Sequence, residues 1–179
     1  MKLFAIIGWK NSGKTGLVER LVSEFGKRSI VVSTIKHAHH AFSVDRRGTD
    51  SFRHKAAGAR EVLIVSNSRW AMVGSGDALN FRELFGKLSQ VDLVLMEGFK
   101  NENFPKLEAY RSDTRVEPIA RNDRSVLAVA SDVPIPGLDI PVIELDDTRA
   151  IANFVLGNCR DWSDWTGSEN REEKMNFQR

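Results

Sequence analysis

The chain has 179 residues, 41% of them hydrophobic and 28% charged, with a formal net charge of +2; this suits one globular domain with a single substantial core and by itself favours no class of partner. The one cysteine, Cys159, excludes an internal disulfide and suits a reducing compartment. No apolar run approaches the ~20 residues of a membrane span, and Leu3 to Ile7 is too short for a signal-peptide core, so a cytoplasmic setting is expected.

Short apolar runs alternate with helical patterns along the chain. Leu3 to Ile7 predicts a first strand, Lys14 to Phe25 a helix, and Ser29 to Ile35 a second strand. Asp50 to Ala57 reads as a helix and Glu61 to Val65 as a strand, with Arg69 to Val73 returning after "VSNS" as the second arm of a hairpin. Phe81 to Leu88 predicts a helix and Val91 to Met96 a strand. "KLEAYR", Lys106 to Arg111, alternates polar and apolar residues and is expected at a sheet edge. Val126 to Ala130 and Pro141 to Leu145 are strands, and Asp147 to Leu156 is a helix. Near-continuous aliphatic strands imply helices on both sheet faces. Strand–helix–strand alternation then predicts an α/β, doubly wound, mostly parallel sheet of P-loop NTPase type, with a short β-hairpin and edge-strand addition. Residues 1–157 are assigned to a nucleotide-binding domain and 158–179 to a polar tail, irregular or docked through Trp162 and Trp165.

"GWKNSGKT", Gly8 to Thr15, matches G-x-x-x-x-G-K-[ST] between the first strand and the first helix. Such a loop turns successive backbone N–H groups inward around anionic oxygens, at a helix end of positive partial charge. Gly8, Asn11, Ser12, Gly13, Lys14, Thr15 and Gly16 are the expected nucleotide contacts. Lys14 reaches the β- and γ-phosphates and the Thr15 hydroxyl ligates Mg²⁺. Gly16 weakens the first helical turn by ~1 kcal/mol, so close packing or backbone approach is its expected reason.

A carboxylate beside the metal is needed at the carboxyl end of a neighbouring strand. In "VDLVLMEGF", Glu97 ends the strand whereas Asp92 lies about 16 Å back, at ~3.3 Å per residue. Glu97 is therefore the acid, paired with Lys14 as the catalytic candidates, and Asp92 marks strand entry.

All four histidines, His37, His39, His40 and His54, fall between Lys36 and Arg60, where six Lys and Arg residues face only Asp45 and Asp50. This electropositive stretch begins at the rim carrying the phosphate loop. It fits phosphate or pterin binding with Asp45 as a further magnesium-side acid, a metal site built from H-x-H-H, or a solvated loop in which Asp50 caps the helix from Ser51. No N-K-x-D guanine motif is present. Asp132, closing "VASD", is the strand-end candidate for the base, with a plain turn aspartate as the alternative.

These elements, "GWKNSGKT", "TIKHAHHAFSVDRRGTDSFRHKAAGA", "DLVLMEGFK" followed by "PKLEAYR", and a later "SD", resemble the MobB family of molybdopterin-guanine dinucleotide biosynthesis adapter proteins over roughly residues 3 to 145. The resemblance implies a GTP- and Mg²⁺-binding homodimer and a weak GTPase. It further implies assistance to a molybdenum cofactor guanylyltransferase that attaches GMP to molybdopterin. It places Gly13, Lys14 and Thr15 on phosphates and Mg²⁺, Asp45 and Glu97 nearby, and His37, His40, Asp50 and Arg53 on a rim facing pterin phosphate or the partner. Gly16 departs from the second threonine or serine common in such loops, and Trp9 and Lys10 are unusual at the crown.

No glutamine or arginine stands out as a water-positioner or built-in finger, so hydrolysis should be slow, near ~10⁻⁴ to 10⁻² per second. A small-molecule kinase or ATP-dependent ligase with an arginine-bearing lid remains a rival, as does a nickel-type metallochaperone GTPase. A nucleic-acid-binding module is disfavoured because the basic residues surround a phosphate loop.

Overall fold

The first strand, β1 (Lys2–Ile7), is buried at every residue from Leu3 to Ile7. Unbroken burial means both faces are covered, the condition of an inner parallel strand. The structure is a computed structural model and describes residues 1–38, 44–76 and 79–163. After β1 come α1 (Lys14–Lys27), β2 (Val32–Lys36), α2 (Asp50–Ala56), β3 (Glu61–Val65), β4 (Trp70–Gly74) and α3 (Phe81–Gly86). Then follow β5 (Leu93–Glu97), β6 (Lys106–Tyr110), β7 (Val126–Ser131), β8 (Val142–Glu144), α4 (Thr148–Asn158) and β9 (Arg160–Asp161). Two compact units result, one of residues 1–37 and 88–163, the other of the described residues from 38 to 87.

In the first unit the sheet order is β2-β5-β1-β6-β7-β8, all neighbours parallel. This is the mostly parallel α/β sheet that the alternating pattern predicts. α1 buries Leu17, Val18, Leu21 and Phe25, spaced as one helical face. They share a core with Ile151, Ala152 and Val155 of α4 and with Phe4, Ile6, Leu93 and Leu95 of the sheet. Asp92 accepts the Val31 N–H at 2.8 Å, as a strand-entry residue should.

"KLEAYR" does not lie at an edge. β6 is an inner strand between β1 and β7, with Lys106 2% and Glu108 0% exposed. Its polar residues are buried because each is fully partnered. Lys106 Nζ donates to the Lys100 and Glu102 carbonyls, both at 2.8 Å, and to Asp123 at 3.1 Å. Glu108 accepts the Ile119 and Ala120 N–H groups, both at 2.9 Å. Alternation here records burial of charge with its partners, not solvent. The start of the tail also has order: β9 runs antiparallel to Lys2 and Leu3, on the stretch of β1 before its pairing with β6 begins at Ala5. Trp162 N–H donates to the Met1 carbonyl at 3.0 Å; Trp165 lies outside the described residues.

In the second unit, β3 and β4 form the expected antiparallel hairpin, closed where the Ser66 N–H meets the Arg69 carbonyl at 2.8 Å. β3 takes no place in the main sheet. α3 starts on a capping box between Asn80 and Glu83. α2 is capped by Thr49, which accepts from Phe52 N–H, so Asp50 is its first residue and not its cap.

Candidate nucleotide site

The segment Gly8 to Thr15 joins β1 to α1. Three of its residues have positive φ: Gly8 (144°), Asn11 (65°) and Gly13 (90°). Only glycine adopts such angles freely. At Gly8 space matters as well, since a β-carbon there would run into the Ala109 carbonyl oxygen of β6. Gly13 is the N-cap of α1 and supplies no side-chain cap, whereas α2, α3 and α4 are capped by Thr49, Asn80 and Asp147. The first-turn N–H groups of α1 thus lack the side-chain acceptor that those three helices have.

Several side chains gather on this loop. Ser12 is buried, and its Oγ has no hydrogen-bond partner. Lys14 Nζ folds back onto the Gly8 carbonyl at 2.8 Å and the Trp9 carbonyl at 2.5 Å. Burial holds its ammonium below the usual lysine range, opposed by Glu97 and reinforced by Lys36 and Lys100. The Thr15 hydroxyl donates to Glu97 Oε1 at 2.8 Å, across the tips of α1 and β5. Lys36, the last residue of β2, sets its Nζ 2.9 Å from the same oxygen and 3.3 Å from Thr15 Oγ1. At the crown, Lys100 Nζ stands 4.4 Å from the centroid of Trp9, whose indole N–H donates to the Glu117 carbonyl at 3.0 Å. Lys10 is exposed.

The other predicted residues fall out differently. Gly16 has no close packing to explain it, because the nearest atom to a β-carbon there would be Arg20 Nη1 at 4.0 Å. His37 follows β2, donates its N–H to the Glu97 carbonyl at 2.9 Å and sets its ring 5.2 Å from that of Phe99. Asp132 accepts the Ser112 N–H at 2.9 Å and the Ser112 hydroxyl at 3.3 Å, so its carboxylate anchors the segment after β6. Asp45, Asp50 and Arg53 belong to the second unit. There Asp45 accepts the Ser51 hydroxyl at 2.9 Å, and Arg53 lies 3.7 Å from Asp50 on an exposed helix face. His39 and His40 lie outside the described residues. Sequence reading did not single out Lys36 or Arg111 as site residues. The strand-end rule that located Glu97 reaches both, since one ends β2 and the other follows β6.

The profile of the family described as "MobB: Molybdopterin guanine dinucleotide synthesis protein B" matches residues 3–132, from β1 to the residue after β7. The chain belongs to the MobB family. It is 36% identical over 161 residues to the molybdopterin-guanine dinucleotide biosynthesis adapter protein of Escherichia coli K12, covering 86% of this chain and 91% of that one. Identity to the adapter protein of the same name in Haemophilus influenzae is 37% over 156 residues, covering 86% of each. The MobB fold itself is shared with the crystal structure of Bacillus subtilis MobB, at a TM-score of 0.69 and 22% identity over 89% of this chain and 99% of that one. A MobB homologue from Bacillus stearothermophilus superposes at a TM-score of 0.65, again at 22% identity, over 87% and 95%. The matched MobB segment contains the loop, Lys36, Glu97 and Arg111. β8, α4 and β9 lie beyond it.

Proposed function

We propose that this MobB-family chain is an adapter in molybdopterin-guanine dinucleotide biosynthesis that binds GTP with Mg²⁺. In this reading it holds the nucleotide for a guanylyltransferase partner acting on molybdopterin, and hydrolyses it only slowly. The observation that carries the reading is the uncapped N-terminus of α1 with Lys14, Thr15 and Glu97 gathered on it. The residues fit the groups. An unpartnered Ser12 hydroxyl, uncapped amides and a lysine held only by carbonyls suit a polyphosphate. The Thr15 hydroxyl and Glu97 carboxylate are hard oxygen donors of the kind Mg²⁺ selects. The ion, when bound, neutralises charge on the polyphosphate. The chain's own part is to bind and orient: loop amides and Lys14 on phosphate oxygens, Thr15 on the metal, Glu97 fixing Thr15.

The pathway in this reading comes from the relatives' names, and so does guanine over adenine. Self-association is also part of it. The hairpin leaves Leu63 61%, Val65 68% and Trp70 64% exposed, an apolar surface suited to a second copy. Calorimetry with GTP, ATP and GDP, with and without Mg²⁺, tests the reading. Preferential Mg²⁺-dependent GTP binding that is lost in Lys14→Ala is expected. Equal affinity of wild type and Lys14→Ala would overturn it, and turnover above about one per second with ATP and an acid or alcohol acceptor would replace it with a kinase or ligase.

A further inference from the structure

Arg111 follows β6 directly and has no part in the reading above. A β-carbon on Gly13 would stand 2.9 Å from its Nε and 3.7 Å from its Cζ, so the guanidinium lies in the space that the N-cap glycine of α1 leaves open. That Nε is buried without a hydrogen-bond partner. No ion pair among the described residues involves Arg111. Ser12 Oγ repeats the pattern: also buried and unpartnered, it sits 2.5 Å from where a β-carbon on Gly8 would be. Each of these two glycines therefore makes room for a polar atom with no acceptor. A donor buried without an acceptor is destabilising, and more so when it is charged.

The backbone around Arg111 is held firmly. Its carbonyl accepts the Thr114 N–H at 3.1 Å and the Thr114 hydroxyl at 2.8 Å. Ser112 is pinned to Asp132, Ile119 and Ala120 to Glu108, and Glu117 to Trp9 within the loop itself. This segment thus ties to β6, β7 and the loop together, and it presents one cation to the cradle without a carboxylate to neutralise it.

We infer that Arg111 is a built-in polyphosphate ligand, contacting the anion that the loop holds from the side of β6. The inference rests on the reading of the loop as a nucleotide site. A guanidinium offers a planar fork of donors matched to phosphate oxygens and keeps its charge at any physiological pH. It supplies in cis the arginine that the bare sequence does not reveal.

The test is calorimetry of GTP with Mg²⁺ on the full chain, comparing wild type with Arg111→Gln, Arg111→Lys and Arg111→Ala at two salt concentrations. Gln keeps most of the bulk and removes the charge; Lys keeps the charge and removes the fork. The expected result is a tenfold to hundredfold loss of affinity in Gln and Ala, partial recovery in Lys, and a shallower salt dependence in Gln than in wild type. If Ala does not fold, Gln and Lys decide. Arg111→Gln binding within twofold of wild type would overturn the assignment. So would a loss with unchanged salt dependence and no recovery in Lys, which marks a prop for the loop. Wild-type protein that binds no GTP would instead remove the nucleotide reading itself.

Discussion

The Thr15 hydroxyl donates to Glu97 Oε1 at 2.8 Å although 82 positions separate the two residues. Thr15 lies in the first turn of α1, which follows β1, and Glu97 ends β5, so parallel pairing of β1 with β5 brings them to the same rim. Glu97→Gln leaves an oxygen for Thr15 but removes the charge. The Mg²⁺-dependent part of GTP affinity should fall by between about tenfold and a hundredfold, the range seen when a group orienting a metal ligand is lost. GTP affinity measured in EDTA should not change. An equal loss with and without Mg²⁺ would show that Glu97 serves the loop's shape alone.

Lys36 rests its ammonium on the same carboxylate and hydroxyl, where it competes with any cation entering between them. The pair is exposed on the lysine side, so its worth is at most about 1 kcal/mol. Lys36→Ala should therefore strengthen binding of Mn²⁺, used as a Mg²⁺ probe, to nucleotide-free protein by up to about fivefold. Electron paramagnetic resonance of free Mn²⁺ reads this directly. Weaker binding in the variant would mean that Lys36 organises the acid and does not block it.

Burial holds the Lys14 ammonium below the ordinary lysine range in the free protein. A neighbouring polyphosphate would push it back up. Binding then takes up a proton wherever free Lys14 is partly deprotonated, and GTP affinity should fall as pH rises from neutrality toward that ordinary range. The same depression means that the folded chain binds fewer protons than the unfolded one, so this group's contribution to stability improves with pH over that interval. Calorimetry at about pH 7 and about pH 9.5, in buffers of different ionisation enthalpy, reports both affinity and proton uptake. Pure proton release on binding at the higher pH would contradict this account.

Two glycines of the loop region should respond oppositely to alanine. At Gly8 a β-carbon meets the Ala109 carbonyl and φ is 144°, so neither the side chain nor the backbone can yield. Gly8→Ala should cost about 3 kcal/mol or more. Gly16 lies in the first turn of α1, and a β-carbon there would meet no atom closer than Arg20 Nη1 at 4.0 Å. Gly16→Ala should stabilise the ligand-free protein by about 0.5–1 kcal/mol. Urea denaturation measures both, and a destabilised Gly16→Ala would show a constraint on that position that the free fold does not contain.

What could be read from the residues was local. The glycine and Lys14 pattern of Gly8 to Thr15 stands out because it occupies eight consecutive positions. The place of Glu97 at the end of β5 was legible because a strand's end can be counted along an apolar run. Pairing was not legible. β6 reads as an edge because charge in a strand normally means water, yet Lys106 and Glu108 are buried among carbonyls, amides and Asp123 contributed by the turns on either side of β6. β9 is too short to announce itself and forms only because part of β1 offers it an unpaired backbone edge. Lys36 and Arg111 look like surface cations until the sheet order sets β2 and β6 beside the strands that carry Glu97 and the loop. Periodicity along a chain reports which faces are apolar. Which strand ends share a rim, and hence which charged side chains gather there, follows from hydrogen bonds between segments far apart in sequence, and those only the folded chain decides.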